Sequence, residues 1–521
     1  MKKLILIFIT VFVISCKSYK ENFNVINGLL IDKATIITAN DIGIIEDYVG
    51  YVLIDNSKII YAGKDKPIVK GEYKAINGKG KFVVPGLIDS HVHLNNIAGI
   101  NFKQVKSNKV LAEEYFDRLP KNFLYYGYTT LIDVDNYAPS TISKLKSVGL
   151  RPEIYTCGQK VQVMDDFEMI MNEIPENERF EFPFLHDKYN TNITYPDSLN
   201  LNQHSVKEII SKIEKEGNIC VKTLYEDASS GLPQIWELPS KQIIKDLVAE
   251  AQKESLKVIM HATSFEGQQF AENTGVDIIA HAMWNWSANP EEYFNTELPE
   301  THKQLLLTIA EKQIGYQPTI RTILAEKDIL DNTFKENEVL KKLYSQSYIN
   351  WLQSEEGQWS RNQILKRPKF IKQINPDFFN VIKTNFSNDT ELFEKLYSSM
   401  DVKIKKVLKL LSDNNANLLF GTDNGAMNMY TNPPGYNGYL EMKYWYDAGI
   451  TLEQIFKAST YNNAVAFNLI DSIGTISAGK AANILMLTQN PLDKISAYDS
   501  VEYIIIDGNL IDRKELSADG N

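Results

Sequence analysis

The feature that most constrains the fold is an alternation of two apolar patterns over residues 82–467. Short apolar runs of strand length alternate with stretches in which apolar residues recur at helical spacing. Eight runs have the strand pattern: 83–88, 129–134, 153–157, 219–224, 258–261, 276–280, 314–317 and 418–420. Parallel strands buried on both faces have such near-continuous apolar runs. The pattern therefore predicts an α/β fold in which eight βα units form a (β/α)8 TIM barrel.

Two flanking regions, residues 24–82 and 472–515, consist of short strand-like runs separated by turns. Neither region has enough strands to bury a core alone, so we expect one small β-sandwich domain built from both termini. The barrel then occupies residues 83–471 and exceeds the usual length of about 250 residues. The excess lies in insertions near 162–204 and 321–400. Both follow a predicted strand, so we expect them to wall or cover a substrate pocket.

The N-terminus has the composition of a targeting segment. Lys2 and Lys3 precede an apolar run over residues 4–14, which is too short to span a bilayer but typical of a signal peptide. The run ends in the sequence VISC, which resembles the bacterial lipobox, with Cys16 as the acylated residue. We therefore expect residues 1–16 to be a lipoprotein signal peptide and the protein to be exported and lipid-anchored to a membrane of the bacterial cell envelope. The alternative is an ordinary cleaved signal with a chance cysteine.

Charge and cysteine content exclude two classes of protein. The net charge is −11 and the basic residues are scattered among acids, so no electrostatic footprint for nucleic acid is present. Besides Cys16, the only cysteines are Cys157 and Cys220, and both lie in apolar strand-like runs. Thiols in such runs usually pack as small hydrophobes, and we expect no disulfide framework.

Potential metal ligands stand at the ends of several predicted strands. His91 and His93 follow the first strand at a spacing of two, which puts both side chains on one face. A lone His-x-His pair is a weak signal, but His261 and His281 end the fifth and sixth strands, and Asp423 follows the eighth. Because the carboxyl ends of barrel strands meet at one face, these positions predict a metal site.

Lys222 lies at the end of the fourth predicted strand among apolar neighbours. Burying a charged amine there costs several kcal/mol unless the charge is neutralised or coordinated. A functional role for Lys222 is therefore expected.

These motifs together resemble the amidohydrolase superfamily, in particular its imidazolonepropionase-like and prolidase-like members. The resemblance rests on PGLID leading into His-x-His, on the order Lys, His, His and Asp in the later strands, and on GYTT (residues 127–130). It extends to GTI (474–476) with Gly479-Lys480 and to Asp507-Gly508, and so covers most of the chain.

The resemblance implies a binuclear site. In such enzymes the fourth-strand lysine is carboxylated, so Lys222 would carry a carbamate that bridges two divalent metal ions. His91, His93 and Asp423 would bind one ion, and His261 and His281 the other. Zinc is the first choice from the ligand class, with iron, cobalt or manganese as alternatives.

The expected reaction is hydrolysis of an amide, peptide-like or cyclic-amide C–N bond of a small molecule or short peptide. A metal-bound hydroxide would attack the carbonyl, and Asp423 would move the proton to the leaving nitrogen. Tyr225 could donate to the developing oxyanion. Arg321 could pair with a substrate carboxylate, and Trp284 could form an apolar wall.

Two other functions stay open at this point. The first is a mononuclear, imidazolonepropionase-like hydrolase that uses His91, His93, His261 and Asp423, with His281 only holding the water and Lys222 unmodified. The second is a surface lipoprotein that keeps the barrel for binding and has lost catalysis. A decayed site should lack ligands, and all six strand-end positions are filled here.

Overall fold

The computed structural model describes residues 21–331, 333–384 and 386–520, so Cys16 and the predicted signal peptide lie outside the described residues. Its strands are β1 (Asn22–Ala39), β2 (Ile45–Asp55), β3 (Lys58–Gly63), β4 (Ile68–Asn77), β5 (Phe82–Pro85), β6 (Leu87–Val92), β7 (Tyr128–Asp133), β8 (Glu153–Thr156), β9 (Cys220–Leu224), β10 (Lys257–His261), β11 (Ile278–Ala280), β12 (Gly315–Gln317), β13 (Ile484–Leu487), β14 (Val501–Ile506) and β15 (Asn509–Asp512).

The α-helices are α1 (Phe102–Val105), α2 (Lys109–Tyr125), α3 (Pro139–Lys146), α4 (Phe167–Met171), α5 (Glu176–Arg179), α6 (Val206–Lys215), α7 (Lys241–Lys253), α8 (Phe265–Thr274), α9 (Glu300–Glu311), α10 (Arg321–Leu330), α11 (Val339–Leu343), α12 (Gln346–Gln353), α13 (Trp359–Ile374), α14 (Pro376–Lys383), α15 (Asp389–Asp413), α16 (Tyr436–Asp447), α17 (Leu452–Lys457) and α18 (Asn463–Ala466). Short 3-10 turns occupy Leu201–His204, Ala228–Ser230, Phe334–Glu336, Ala426–Asn428, Ile495–Asp499 and Arg513–Leu516, and a π turn occupies Ala458–Asn462. Within the described ranges, none of the helices combines the length and the apolar content of a membrane span.

Strands from both ends of the chain join in one eight-stranded sheet, with the order β15-β14-β13-β5-β1-β2-β3 and with β4 paired to β1. The C-terminal strand β13 pairs antiparallel with β5, which in turn runs parallel to β1. Buried side chains from both regions, such as Ile31, Ile36 and Ile484, share one apolar cluster. Both termini therefore build a common β-structure, as the sequence indicated. The strands form one continuous sheet, and a two-layer sandwich stays a prediction.

The predicted strand over residues 83–88 is two strands in the structure, and that expectation is corrected. β5 ends at Pro85 and pairs with β13, whereas β6 begins at Leu87 and pairs with β7. Pro85 lacks a backbone N–H, and a Cβ on Gly86 would lie 2.0 Å from Oγ1 of Thr129. Only glycine fits where the chain passes from one sheet to the other. Apolar periodicity does not reveal this break because both strands are buried.

Two parallel sheets carry the site, one of order β6-β7-β8 and one of order β9-β10-β11-β12. Every residue of β6 and β7 is buried, as expected for parallel strands covered on both faces. Between the sheets, the backbone N–H of Ile219 donates to Thr156 at 2.9 Å and that of Val161 donates to Lys222 at 2.7 Å. The fold is thus mixed α/β, with helices between successive parallel strands.

The predicted eighth strand over residues 418–420 is not a regular strand, which is a second correction. The irregular segment 417–424 instead hydrogen-bonds to both β12 and β6. Leu419 N donates to Tyr316 O at 2.9 Å, and Asp423 N donates to His91 O at 2.8 Å. Asp423 has a positive φ of 55°, which is incompatible with a continuous ladder. The segment nevertheless lies where the sequence placed it, between the last and the first parallel strand.

Cys157 and Cys220 form a disulfide, contrary to the expectation that each packs as a free thiol. Cys157 directly follows β8 and Cys220 begins β9, and their Cα atoms lie 4.3 Å apart. Both side chains are fully buried. The sequence could not predict the pair because the two cysteines lie 63 residues apart and meet only through the alignment of neighbouring chain segments.

Candidate metal centre

The ligand group that the structure brings closest together is His91, His93 and Asp423. Their potential ligand atoms all lie within 4.8 Å of one another. Nε2 of His93 lies 2.9 Å, and Nε2 of His91 3.3 Å, from Oδ1 of Asp423. This oxygen is buried and makes no hydrogen bond of regular geometry. Two imidazole nitrogens and an unsatisfied carboxylate oxygen that converge in this way suit a divalent cation.

His91 is held in the orientation that a metal ligand needs. Its Nδ1 lies 3.1 Å from Oε1 of Gln317, and the amide of Gln317 donates to the carbonyl and hydroxyl of Ser90. The amide oxygen can only accept, so Nδ1 of His91 is the protonated nitrogen and Nε2 keeps its lone pair. Burial lowers the pKa of His91 to about 4, with Lys222 acting in the same direction. The ring is therefore neutral at physiological pH.

Charge favours an ionised Asp423 next to these rings. Burial alone would raise the pKa of Asp423, but the imidazoles of His91 and His93 hold it well below its ordinary value. Thr322, in the first turn of α10, donates to Oδ2 of the carboxylate at 2.8 Å. Thr322 was not among the predicted site residues, because a helical pattern does not show which hydroxyl group lies next to the strand ends.

Lys222 lies beside the same group, on β9. Its Nζ is 3.3 Å from Nε2 of His91, and the residue is only 6% exposed. Burial lowers the pKa of Lys222 to about 7, although Asp423 acts in the opposite direction. A large fraction of this amine is therefore neutral near pH 7.

His281 also reaches the centre, from the chain just after β11. It has a positive φ of 78°, and its Nδ1 lies 2.7 Å from Oγ1 of Thr319 and 4.0 Å from Oδ2 of Asp423. Burial lowers its pKa well below the ordinary value, with His261 as the next contributor. A left-handed backbone at a non-glycine residue is a strain that functional sites often hold.

His261, at the end of β10, has an unexpected partner. Its ring centroid lies 4.4 Å from that of His281, but its Nε2 contacts Oε2 of Glu226 at 2.7 Å. Thr263 donates to the same carboxylate oxygen at 3.3 Å. Glu226 is 8% exposed and lies in the loop after β9, four positions beyond Lys222. An acidic residue so close to a strand end was the available sequence signal for Glu226, which was not among the predicted site residues.

A cavity of about 700 Å³ opens onto these residues, and its lining includes His91, His93, Lys222, His261, His281 and Asp423. That volume is in the range of small-molecule sites. The first insertion contributes Phe167, Met169 and Phe182, as predicted. Among the described residues of the second insertion, Thr322 alone belongs to the lining. Most of this insertion packs elsewhere, for example through Tyr348, which donates to Ala98 O at 2.6 Å.

The three predicted substrate or oxyanion contacts have different outcomes. Trp284 lines the cavity, with its ring 5.7 Å from that of His281. Tyr225 is absent from the lining and packs against Phe270 at 4.4 Å between ring centroids. Its proposed donation to an oxyanion is therefore not supported, because the ring packs against α8 and does not line the cavity.

Arg321 does not face the cavity either, and its predicted role with a substrate carboxylate is corrected. Its side chain is fully buried. The guanidinium donates to Asp328 at 2.6 Å, to Asn437 at 3.0 Å and to the carbonyl of Thr431 at 2.8 Å. These partners satisfy it within the protein interior, where it joins α10 to α16 and the preceding loop.

Comparison with known proteins identifies the class of protein. A profile of the amidohydrolase family matches residues 82–511, most of the chain. The chain therefore belongs to the amidohydrolase family and is a hydrolase of carbon–nitrogen bonds. Proteins of this family bind divalent metals, and the donor set of His91, His93 and Asp423 fits that property.

The individual relatives share little sequence identity with this chain. The chain is similar to an imidazolonepropionase of Geobacillus kaustophilus (strain HTA426), with 28% identity over 149 residues, which are 22% of this chain and 34% of that protein. The match thus spans about a third of the relative's length. A. niger ochratoxinase has a similar structure, with a TM-score of 0.61, 16% identity and coverage of 94% of this chain and 96% of that chain. A prolidase complexed with N-methylphosphonate-L-proline gives a TM-score of 0.57, 16% identity, 93% coverage of this chain and 100% of that one. At these identities the two structures establish a shared fold.

Proposed function

We propose that the protein is a metal-dependent amidohydrolase that cleaves an amide, peptide-like or cyclic-amide C–N bond of a small molecule or short peptide. The observation that carries the proposal is the convergence of His91, His93 and Asp423 beside the buried Lys222 in the lining of one cavity. Imidazolonepropionase and prolidase, the activities named for the relatives, both fall within the proposed range.

The proposed cofactor is a pair of divalent ions, with zinc as the first choice and iron, cobalt or manganese as alternatives. The proposed ligands are His91, His93 and Asp423 for one ion, His261 and His281 for the other, and Lys222 between them. When bound, such ions supply Lewis acidity, which lowers the pKa of water and polarises a carbonyl.

Asp423 is the residue that we propose moves the proton. Its carboxylate is ionised, buried and aligned by Thr322, so it can take a proton from the attacking water and deliver it to the leaving nitrogen. His91 stays neutral because of its burial and cannot compete as a base at its Gln317-bound nitrogen. Trp284 would limit access of bulk water from its side of the cavity.

Lys222 is proposed to be carboxylated. A neutral lysine amine adds to carbon dioxide and loses one proton, which leaves a carbamate anion on Nζ. Burial and the lowered pKa of Lys222 supply the neutral amine that this reaction needs. The test is a protein grown or incubated with ¹³C-bicarbonate, in which a carbamate resonance should be present and should be missing from Lys222→Ala.

A mononuclear site is the second candidate, and one contact favours it. Nε2 of His261 is engaged by Glu226, so this imidazole is not free on that nitrogen to bind a second ion. The compact ligand group also comprises only His91, His93 and Asp423 among the described residues. The ligands of this mononuclear site would then be His91, His93 and Asp423, without the His261 that the sequence suggested as a fourth ligand. His261 and Glu226 would bind and orient substrate or water, and Lys222 would stay unmodified.

Hydrolysis of a compound panel tests the function directly. The protein is stripped with a chelator, reloaded with zinc and assayed on simple amides, dipeptides, cyclic amides and an imidazolone. We expect turnover of at least one class in the reloaded protein, and none in the stripped protein or in His93→Ala. Absence of turnover across the panel in a zinc-loaded protein would contradict the proposal and favour the non-catalytic binding lipoprotein.

The architecture and location of the enzyme are also proposals. A closed (β/α)8 barrel over residues 83–471 is supported by the hydrogen bonds that link β8 to β9 and the segment 417–424 to both β12 and β6. Export is supported by the Cys157–Cys220 disulfide, since disulfides persist mainly outside the cytosol. Acylation at Cys16 is proposed from the lipobox-like sequence VISC. Cys16→Ser should release the protein from the membrane fraction, and retention of this variant would contradict the lipid anchor.

A further inference from the structure

The mouth of the cavity is surrounded by exposed apolar side chains. Phe102 is 62% exposed, Met427 50%, Phe182 41% and Tyr137 40%, and all four line the cavity. They come from four separate parts of the chain: α1, the turn after Asp423, the first insertion and the loop after β7. Large apolar groups are normally scattered on a protein surface, so their collection around one opening indicates a ligand with apolar surface.

Apolar character continues inside the cavity. Phe167, Met169, Ile174, Leu224 and Trp284 belong to the lining. Phe167 is held in place by Trp236, at 5.0 Å between ring centroids in an edge-to-face arrangement. A wall of fixed aromatic and aliphatic groups binds bulky apolar substrate parts with little loss of side-chain freedom.

The charges in the lining do not suit a carboxylate. Outside the candidate metal ligands, the charged residues of the lining are Asp135, Lys160 and Glu168. Lys160 is the sole cation of the three, and its Nζ lies 3.0 Å from Oδ2 of Asp135 and also contacts Oε2 of Glu168. The two carboxylates neutralise the amine and leave a net negative charge. Arg321, the cation that the sequence suggested, points away into the interior.

We propose that this cavity takes neutral amides with a bulky apolar or aromatic group and discriminates against substrates that carry a free carboxylate. The inference rests on the proposed function for the bond that is cleaved, and it narrows the substrate class. Dipeptides with a free C-terminus, which the sequence left open, become poor substrates. The first physical reason is burial of the substrate's apolar group against the side chains at the mouth, which form its rim, and against the inner wall. The second is repulsion between a substrate carboxylate and the Asp135–Lys160–Glu168 cluster.

Equilibrium binding separates this inference from the proposed function. Metal-free full-length protein is titrated with Ala-Phe and with its C-terminal amide, Ala-Phe-NH2. All peptides in this experiment and the next are N-acetylated, so that the amides are neutral and these two compounds differ only in the charge of the C-terminal carboxylate. Ala-Ala-NH2 serves as the compound without the aromatic group. We expect Ala-Phe-NH2 to bind at least about ten-fold more tightly than either of the others. Equal or tighter binding of Ala-Phe, or no binding of Ala-Phe-NH2, would overturn the inference, whatever the zinc-loaded protein hydrolyses.

Rim variants test where the apolar group binds. Phe102→Ala and Phe182→Ala should each weaken the binding of Ala-Phe-NH2 by about three-fold to ten-fold, because each removes exposed ring surface at the mouth. Phe370→Ala is the matched control, since Phe370 is 43% exposed on α13 and is absent from the lining. The same loss in all three variants would overturn the assignment of the rim. Turnover of Ala-Phe-NH2 by the zinc-loaded protein then reports on the proposed function separately.

Discussion

Nε2 of His93 lies 2.9 Å from Oδ1 of Asp423. This contact joins the chain just after β6, at the start of the α/β region, to the irregular segment 417–424 near its other end. The backbone reinforces this contact, because the N–H of Asp423 donates to the carbonyl of His91 at 2.8 Å. The candidate centre therefore exists only when both ends of the α/β region are in register. The same contacts set the geometry of the site and join the two ends of the α/β region.

Replacement of the carboxylate tests the proton-transfer role. Asp423→Asn keeps the shape and one oxygen ligand but removes the base, so we expect kcat to fall by about 10²- to 10⁴-fold on a substrate found in the panel. Steady-state kinetics with metal content measured on the same sample is the readout. Asp377→Asn, at an exposed position in α14, should retain full turnover. Turnover of Asp423→Asn within about three-fold of the parent would remove Asp423 from the mechanism.

Arg321 is predicted to stabilise the fold and not to select substrates. Arg321→Ala leaves Asp328 and Asn437 without their buried partner and should lower the free energy of unfolding by about 3 kcal/mol. Arg151→Ala removes a surface ion pair with the half-exposed Glu153 and hydrogen bonds to the carbonyls of Lys146 and Pro152, and should cost only about 1 kcal/mol. Denaturant unfolding measures both. A stable Arg321→Ala protein whose KM rises only for acidic substrates would restore the role that the sequence suggested.

The disulfide is predicted to contribute to stability through the loop that it closes. Cys157 and Cys220 are 63 residues apart, and removal of such a crosslink in the variant Cys157→Ala/Cys220→Ala should cost about 2–4 kcal/mol. Thiol titration of the denatured parent, with and without reductant, checks that the bond is present. Two additional free thiols without reductant, together with unchanged stability of the double variant, would contradict the disulfide.

Lys403 gives a pH dependence whose sign follows from its burial. Its Nζ donates to Tyr293 O at 2.7 Å and lies 5.5 Å from the ring of Trp286, and burial lowers its pKa to about 8 from 10.5. Between these values the unfolded chain binds the proton more tightly, so the contribution of Lys403 to stability is lowest below pH 8 and rises toward pH 10.5.

The unfolding free energy of the parent should therefore rise relative to that of Lys403→Met by about 2 kcal/mol between about pH 7.5 and 9.5. Lys409→Met, on the same helix and 52% exposed, is the control and should follow the parent at both pH values. Denaturant melts at the two pH values give the comparison. Parallel behaviour of the parent and Lys403→Met would show that Lys403 keeps an ordinary pKa.

Strand ends made much of the site predictable from the sequence. Alternation along a strand placed His91 and His93 on one face, and the meeting of the carboxyl ends of parallel strands placed Asp423 near them. The structure brings the ligand atoms of all three within 4.8 Å of one another. The composite sheet was predictable because neither terminal region had enough strands alone. In both cases a local pattern and a general packing rule were sufficient.

Other features depend on contacts that no local pattern encodes. Whether Arg321 faces the cavity or the interior is decided by Asn437 and Thr431, which are remote in sequence. The contact between Glu226 and His261 depends on the path of the loop after β9. The change of sheet at Gly86 depends on the close approach of Thr129. Periodicity describes which residues are buried, and it does not describe which buried residues meet.

Metal content per chain tests whether the candidate centre holds two ions and needs Lys222 to do so. The protein is loaded with zinc, desalted and measured by elemental analysis, together with Lys222→Ala and with Lys253→Ala as a control at an exposed lysine. We expect two zinc ions per chain in the parent and the control, and one or none in Lys222→Ala. One ion in all three proteins would select the mononuclear alternative. Absence of bound metal from the loaded parent would contradict a metal-dependent enzyme.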